Sequence, residues 1–497
     1  MPKGSSTYNR KRRFDETPEP AASFAGDVDT ARAKPGETFV IHQHHATRLH
    51  FDLRLEMFNG EVPVLVSWAV PKNLPLEKGK PRLAIHVEDH PFEYGSFSGS
   101  IPDDNYGAGA VRIFDNGTYE LLKQEPGKLT FRLDGARLKG SWTMSHRSTN
   151  KAGKEEWLIF LKSDDRPPAE PRPPLAPMLA TLVTDAFDDD DWSFEPKWDG
   201  VRTFAVCGEA TQLVSRNQRD ITVAYPELHK VHEQLVAIDA IVDGEIVAFE
   251  GGVPSFEKLQ SRIHVRGAAE IKRLMQQIPV ALVLFDIVYL DGRDLTALPY
   301  DERREILERA VVPTPNVQVS PAIPGRGVRL FEAARAQALE GIVAKRRDSR
   351  YEIGRRSKAW LKVKTTFDAD VVIAGWSEGG GHRSGHLGSL VCAVHEDGAL
   401  RYVGGVGTGF TAKTLAMLEE RLRALATDDA AFPAAALKGK PELRHAHWVR
   451  PELVAMVEFR QLTSAGKLRA PSFKGLRDDK SPEECTYAEL RAAAGLG

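Results

Sequence analysis

Apolar and polar residues alternate with a period of two through much of the first 160 positions. The runs "TFVIHQHH" (38–45), "LHFDLRLEM" (49–57), "VLVSWAV" (64–70), "RLAIHVED" (82–89), "GAVRIFD" (109–115), "GTYELL" (117–122), "KLTFRLD" (128–134) and "EEWLIFLK" (155–162) each read as a short strand. Turn signals such as "DNG" and "LDG" separate several of them. The pattern predicts a mostly-β domain, a barrel or a sandwich.

The alternation stops at "DDRPPAEPRPPLAP", Asp164 to Pro177, with six prolines in fourteen residues. Proline has no amide hydrogen to give a helix or a central strand, so this stretch reads as a semi-rigid spacer. Beyond it, strand-like runs ("LVSRN", "AIVDGEIVAF", "VALVLFDIVYL", "GIVAKR", "WLKVK") alternate with helical ones. "YDERREILERAV" sets Ile306, Leu307 and Val311 at helical spacing between charges. This region is α+β. From about Asp368 the chain turns β-rich again, with one helix near "TAKTLAMLEERLRAL" and a basic end.

Composition narrows the classes. A chain of 497 residues is too long for one core and fits two to four domains. Its 27% charged and 42% hydrophobic residues are those of ordinary globular material, and a net charge of -2 gives no bulk argument for a polyanion partner. Cys207, Cys392 and Cys485 are scattered without a CxxC, which excludes a disulfide framework and a cysteine zinc site. No apolar run is long enough for a membrane, and "MPKGSSTYNRKRRF" lacks a secretory segment, so the expected compartment is the cytoplasm. In that opening, Lys3, Arg10, Lys11, Arg12 and Arg13 precede the first acid, Asp15. They read either as a disordered tail or as a basic arm for a phosphate backbone.

Chemistry enters with "EPKWDGVR", which contains Lys197, Asp199, Gly200 and Arg202. A lysine next to further positive charge is a candidate nucleophile, because such charge favours the neutral amine. Alone, the motif reads better as a surface lysine before a turn. In order there follow "SRNQRD" with Arg216, "DGEIVAF" with Glu245, "LFDIVYLDG" with Phe285, "EGIVAKR" with Glu340 and Lys345, "WLKVK" with Lys362 and Lys364, and "RAPSFKGLRDDK" with Arg469, Arg477, Asp479 and Lys480. Cations suit a triphosphate, carboxylates suit a ribose and a divalent ion, and an aromatic suits a stacked base.

This series, over roughly residues 176 to 490, resembles the ATP-dependent DNA ligases. The resemblance implies an ATP-grasp-type nucleotidyltransferase domain followed by an OB-fold β-barrel, hinged near Thr365 to Asp368. It implies ATP, with Mg²⁺ or Mn²⁺, and attack by Lys197 on the α-phosphate. AMP then passes to a DNA 5′-phosphate, and a 3′-OH displaces it. By position, Glu195, Lys197, Arg202, Glu245, Phe285, Glu340, Lys362, Lys364, Arg477 and Lys480 are expected at the nucleotide. Glu245 falls on the ribose, Phe285 on adenine, and Glu340 with Glu245 at the metal. Arg216 is expected at the nick phosphate, and Arg477, Asp479 and Lys480 at the leaving pyrophosphate.

The strand "LHFDLRLE" carries a second candidate. Alternation puts His50, Asp52, Arg54 and Glu56 on one face and Leu49, Phe51, Leu53 and Leu55 on the other. With His44 folding over the strand start, two histidines and an aspartate suit Mn²⁺ or Zn²⁺. "RLAIHVEDHPFEY" adds His86, Glu88 and His90 on what reads as one face. The bland alternative is an exposed polar face of a half-buried sheet.

Residues 8 to 162, with "KRRFDETPEP", "HHATRLHFDLRLE", "LVSWAVPK", "IPDDNYGAGAV", "ARLKGSW" and "WLIFLK", resemble the phosphoesterase domain fused to bacterial end-joining ligases. Such domains remove a 3′-terminal ribonucleotide or 3′-phosphate with Mn²⁺ and leave a 3′-OH. The resemblance implies His44, His50 and Asp52 as metal ligands, and Arg54, Lys72 and Arg82 on the phosphate. It puts His90 and Tyr94 at the scissile bond with Glu88 in support, and gives His45 and His86 no role. The expected domains are 1–20 (basic arm), 21–164 (phosphoesterase), 165–175 (linker), 176–366 (adenylation) and 367–497 (OB fold). No stretch is left for the polymerase domain that many relatives carry, so the expected partners are DNA breaks, bacterial Ku and a separate polymerase. Two other readings stay open: an RNA ligase or capping-type nucleotidyltransferase, and a first domain that only binds DNA ends.

Overall fold

A computed structural model describes residues 6–494 and 496, apart from 25, 264, 338, 380–385, 434–442 and 464. The chain divides into two compact units. The first holds residues 1–176, 201–248 and 259–319; the second holds 177–200, 249–258 and 320–497.

The first unit begins with a closed eight-stranded antiparallel barrel. Its order is Lys34–His45, Leu49–Asn59, Val62–Val70, Arg82–His86, Glu155–Asp164, Lys139–Thr149, Lys128–Gly135 and Gly109–Glu125, and the last strand pairs back on the first. Alternation fills the interior with Leu53, Leu55, Met57, Val64, Val66, Trp68, Trp142, Met144 and Trp157, all buried. Each such side chain contributes about 1.5–3 kcal/mol by leaving water. The opposite face of the first three strands is buried too. There Val40 and Leu65 pack with Tyr8 and Tyr94, which come from outside the barrel.

Three expectations need correction. The "DNG" at 115–117 is no turn, since Gly109–Glu125 runs straight through it. Gly117 is needed for close approach, because a Cβ there would lie 2.2 Å from the Asp134 carbonyl oxygen. Asp115 instead caps the real turn, accepting from the amides of Ala136, Arg137 and Leu138. Secondly, the strand expected over 82–89 stops at His86, and His90 starts a new pairing against Leu65. His86 therefore packs on Trp68, apart from Glu88 and His90. Thirdly, the described part of the expected basic arm is no tail. Residues Thr7–Arg10 form a helical turn, the Tyr8 hydroxyl donates to the Pro20 carbonyl, and Arg12 is buried against Glu19 at 2.8 Å. Lys3 lies outside the described residues.

The proline-rich stretch runs without regular structure but is tied down. The Glu170 amide donates to the Gly292 carbonyl, and Arg172 meets Asp239 at 3.0 Å. The rest of the first unit is a sheet ordered Thr211–Ser215, Val201–Cys207, Ala240–Glu250, Val280–Leu290 and Arg293–Asp294, with the helix Tyr300–Ala310 on the fourth strand. This is the helix expected at 300–311.

The second unit contains a sheet ordered Leu179–Val183, Arg356–Lys364, Gly341–Arg346, Trp192–Pro196 and Ile323–Pro324. The helix Gly327–Ala336 packs against it. A five-stranded antiparallel sheet follows, ordered Ala399–Val406, Leu387–Glu396, Phe367–Glu378, His447–Phe459 and Ser472–Leu476. The helix Ala412–Ala424, capped by Thr411, lies between its third and fourth strands in sequence. That order of strands and helix is the OB fold. All three cysteines are free and buried, and no helix among the described residues is long and apolar enough to cross a membrane.

Asp89 is fully buried with Oδ1 lacking a partner among the described residues, while Oδ2 accepts from the Val28 amide at 2.6 Å. Burial, with Asp27 and Glu88 near, pushes its carboxyl from 3.8 up to about 7. The folded protein therefore holds this proton longer than the unfolded chain does. The resulting penalty is absent below about pH 4, grows as pH rises, and is complete above pH 7, at roughly 3–4 kcal/mol. Asp89→Asn is expected to raise the melting temperature of the barrel at pH 8. The gain should fade toward pH 5, as checked by thermal unfolding across that range.

Candidate active sites

Two neighbouring strands build the first site. His44 lies directly opposite His50 in the pairing of Lys34–His45 with Leu49–Asn59, so it sits within a strand, not before one. His44 Nδ1 is 3.8 Å from Asp52 Oδ2, and His50 Nε2 is 3.6 Å from Asp52 Oδ1. Ligand atoms of the three residues lie within 4.8 Å of one another. The other ring nitrogens are occupied: His44 Nε2 donates to the Gly107 carbonyl at 2.7 Å and His50 Nδ1 to the Arg48 carbonyl at 3.0 Å. Those bonds fix the tautomers and turn both remaining lone pairs toward Asp52. The donor set fits a divalent ion of the Mn²⁺ or Zn²⁺ kind with positions left open.

Arg54 lies beside this cluster and is 2% exposed. It donates to Asp52 at 2.9 Å, Ser67 Oγ at 2.8 Å and His42 Nδ1 at 3.1 Å, and stands over the Tyr94 ring at 4.8 Å. Burial alone would push the Asp52 carboxyl up, but the Arg54 charge beside it holds it well below the usual carboxylate range. His90 is buried between Tyr8 and Tyr94, with ring centroids 4.9 Å away on each side. Its Nδ1 donates to the Glu88 carbonyl at 2.8 Å, and Arg12 approaches Nε2 at 3.4 Å. Burial, then the charges of Arg54 and Arg12, push this imidazole well below its ordinary value, so the ring is neutral. Burial would raise Glu88, yet its bond from Lys11 at 2.9 Å keeps it lowered.

The bland alternative, an exposed polar face, does not hold: Asp52 and Arg54 are buried and His50 is half-buried. Lys72 and Arg82 line a different cleft of about 330 Å³, with Leu49, Phe51 and Glu209 among its walls, and Arg82 pairs with Glu209 at 2.9 Å. Sequence reasoning missed Arg12, His42, Ser67 and the Gly107 carbonyl. Of these only Arg12 left a signal, its helical spacing from Tyr8 in the basic opening.

The second unit presents a lysine cluster. The Lys197 amide donates to Gly341 O at 2.9 Å, and its ammonium meets the Glu340 carboxylate. Lys364 reaches Glu340 at 3.4 Å and Asp368 at 3.4 Å. Burial, then the like charges of Lys197 and Lys364, push Lys362 down. Asp199 is pushed up to about 6 by burial and by Glu340. Glu195 is buried and paired with Lys345 at 2.7 Å. In the OB domain Arg477 pairs with Asp479 at 2.8 Å and with Asp370 at 3.2 Å, and Lys480 with Asp370 at 3.1 Å.

In the first unit Arg202 makes a two-pronged bond to Asp243 at 2.7 and 2.6 Å and lies over the Phe285 ring at 4.6 Å. Glu245 is the cross-strand partner of Arg202, and Arg216 is exposed on the loop beyond.

Residues 42–146 match the family described as DNA Ligase D 3′-phosphoesterase domain. Residues 176–364 match the ATP dependent DNA ligase domain, and 383–480 the ATP dependent DNA ligase C terminal region. The multifunctional non-homologous end joining DNA repair protein LigD of Mycobacterium tuberculosis is 40% identical over 491 residues, covering 96% of this chain and 60% of its own. The LigD protein of Pseudomonas aeruginosa is 33% identical over 536 residues, covering 96% and 61%. A solved structure described as mycobacterial DNA ligase D complexed with ATP and MES is 37% identical, covers 63% of this chain and 98% of its own, and has a TM-score of 0.46. The chain spans about three fifths of the length of these curated relatives.

The barrel cluster makes a direct demand. Asp52→Asn is expected to abolish tight Mn²⁺ binding by the barrel, read by electron paramagnetic resonance, whereas Lys197→Ala leaves that signal intact. Removing the partner also leaves Arg54 buried and unpaired, so the barrel should lose about 3–5 kcal/mol of stability, read by denaturant unfolding.

Proposed function

The chain belongs to the DNA ligase D family, and on that premise we propose that it seals DNA strand breaks with ATP after cleaning their 3′ ends. The observation that carries the reading is the pairing of two separate chemistries in one chain, the Lys197 cluster and the His44–His50–Asp52 cluster. We assign residues 21–164 to end processing, 176–366 to adenylation and 367–497 to the OB fold. The substrates on this reading are breaks with 3′-OH and 5′-phosphate, and ends bearing a 3′-ribonucleotide or 3′-phosphate. Ku is the proposed partner in end joining, and the cytoplasm the proposed compartment.

For sealing, Lys197 Nζ loses a proton to solvent, and the Nζ–Pα bond then forms as the bond from Pα to the bridging oxygen breaks, releasing pyrophosphate. The ion pair with Glu340 has to open first, and the freed Glu340 carboxylate would hold a divalent ion, Mg²⁺ or Mn²⁺. Lys362 and Lys364 then face the α-phosphate as point charges. Arg202, clamped by Asp243, supports Phe285 under the adenine, with Glu245 at the ribose and Glu195 near the nucleotide. Arg216 is assigned to the nick phosphate. Arg477 and Lys480 reach the pyrophosphate after exchanging Asp370 for it as the OB domain closes.

For trimming, His44, His50 and Asp52 would hold Mn²⁺, which supplies charge stabilisation at the phosphoryl oxygens. Arg54 is fixed by three hydrogen bonds and presents its charge to the same phosphate. His90, neutral and oriented by the Glu88 carbonyl, can take a proton at Nε2, with Tyr94 beside it. Lys72 and Arg82 are proposed to grip the strand from their own, separate cleft.

Labelling with α-³²P nucleotides tests the sealing half. ATP is expected to give an acid-labile adduct that Lys197→Ala abolishes, and an adduct from GTP would point to capping chemistry instead. For the barrel, His50→Ala should remove 3′ processing while DNA affinity stays within about twofold. Loss of affinity alone would make the barrel a binding module.

A further inference from the structure

Tyr106 is 44% exposed, while Tyr8 and Tyr94 on the same side of the barrel are 0% and 2% exposed. It lies between the strands Gly99–Ile101 and Gly109–Glu125, after the polar residues Asp103, Asp104 and Asn105. The turn is pinned to the metal cluster, because the carbonyl of the next residue, Gly107, accepts from His44 Nε2 at 2.7 Å. Gly107 has φ +78°, a conformation that suits glycine at this bend. On its other flank, Lys11 Nζ is 3.4 Å from the Tyr106 hydroxyl and 4.8 Å from the ring centroid. The Arg12 guanidinium is 5.5 Å from the same centroid and also reaches His90. An aromatic ring thus stands open to solvent between a candidate metal ligand and two cations.

We propose that Tyr106 is a stacking shelf for a nucleobase next to the scissile phosphate, with Lys11 and Arg12 neutralising the adjoining backbone. The proposal rests on the phosphoesterase reading of the barrel. Every base offers a π face, so an aromatic shelf accepts any end sequence, which a trimming site needs. The cations hold the ring from one flank by cation–π attraction and leave its exposed part for the base.

Fluorescence anisotropy with the full chain and no added metal reads binding apart from cleavage. Three primer–template duplexes end in one 3′-ribonucleotide: intact, abasic at the terminal sugar, and abasic at the sugar before it. The wild type should bind one abasic duplex roughly 5- to 100-fold more weakly than the intact one, the range expected for one stacked base. Tyr106→Ala should bind the intact duplex as weakly and no longer distinguish the three, while Tyr106→Phe keeps the preference. The position that matters identifies the stacked nucleotide. Equal binding of all three by the wild type, or a base preference that survives in Tyr106→Ala, overturns the shelf. If Tyr106→Ala has lost Mn²⁺ binding, the turn has moved, and Tyr106→Leu takes its place with the same expected loss of preference. Absence of trimming with any metal, with the base preference intact, would remove the phosphoesterase reading and leave the shelf standing as an end-binding feature.

Discussion

A buried ion pair organises the N-terminal domain. Asp52 and Arg54, two residues apart on one strand, point away from the barrel interior yet are 5% and 2% exposed. Charges taken from water at that depth need full hydrogen bonding. His42 and Ser67, on the neighbouring strands, supply it, and Tyr94 covers the guanidinium. Tyr8, Arg12 and the segment around His90 close over the pair, and the same closure brings His90 and the Asp52 carboxylate into one dry, polar site. Stability and chemistry here depend on the same contacts.

The ligase half uses charge differently. Its lysines and carboxylates answer one another: Lys197 with Glu340, Lys364 with Glu340 and Asp368, Arg477 and Lys480 with Asp370. Each acid then holds a cation that the proposed reaction needs elsewhere. Nucleotide and divalent ion would exchange these internal pairs for pairs with phosphate. Such exchange keeps the cations oriented without burying any of them unpaired.

The fold was legible where periodicity decides it. The barrel strands other than Lys139–Thr149, the helix at Tyr300–Ala310 and the helix at Ala412–Ala424 follow from apolar spacing. Residue order along one strand also foretold that His50, Asp52 and Arg54 share a face. What sequence could not supply was contact across distance. Nothing local says that Gly117 serves a close approach and not a turn, or that the strand at Arg82 ends at His86 and frees His90 to turn back toward Leu65. Nor does a basic opening reveal that Arg12 is folded under a tyrosine and against a histidine 78 positions away. The burial of the polar face was hidden for the same reason, since its cover comes from another part of the chain.

The central claim is that two separable active sites share this chain, one making the 3′-OH that the other consumes. The most direct test is a gel assay on a nicked duplex with a single 3′-ribonucleotide at the nick. It is run with Mn²⁺, with and without ATP, for the wild type and Lys197→Ala. The account expects the wild type to trim without ATP and to trim and seal with it, and Lys197→Ala to trim fully but never seal. Sealing of ordinary nicks with no trimming under any metal, or trimming that disappears with Lys197, would contradict it.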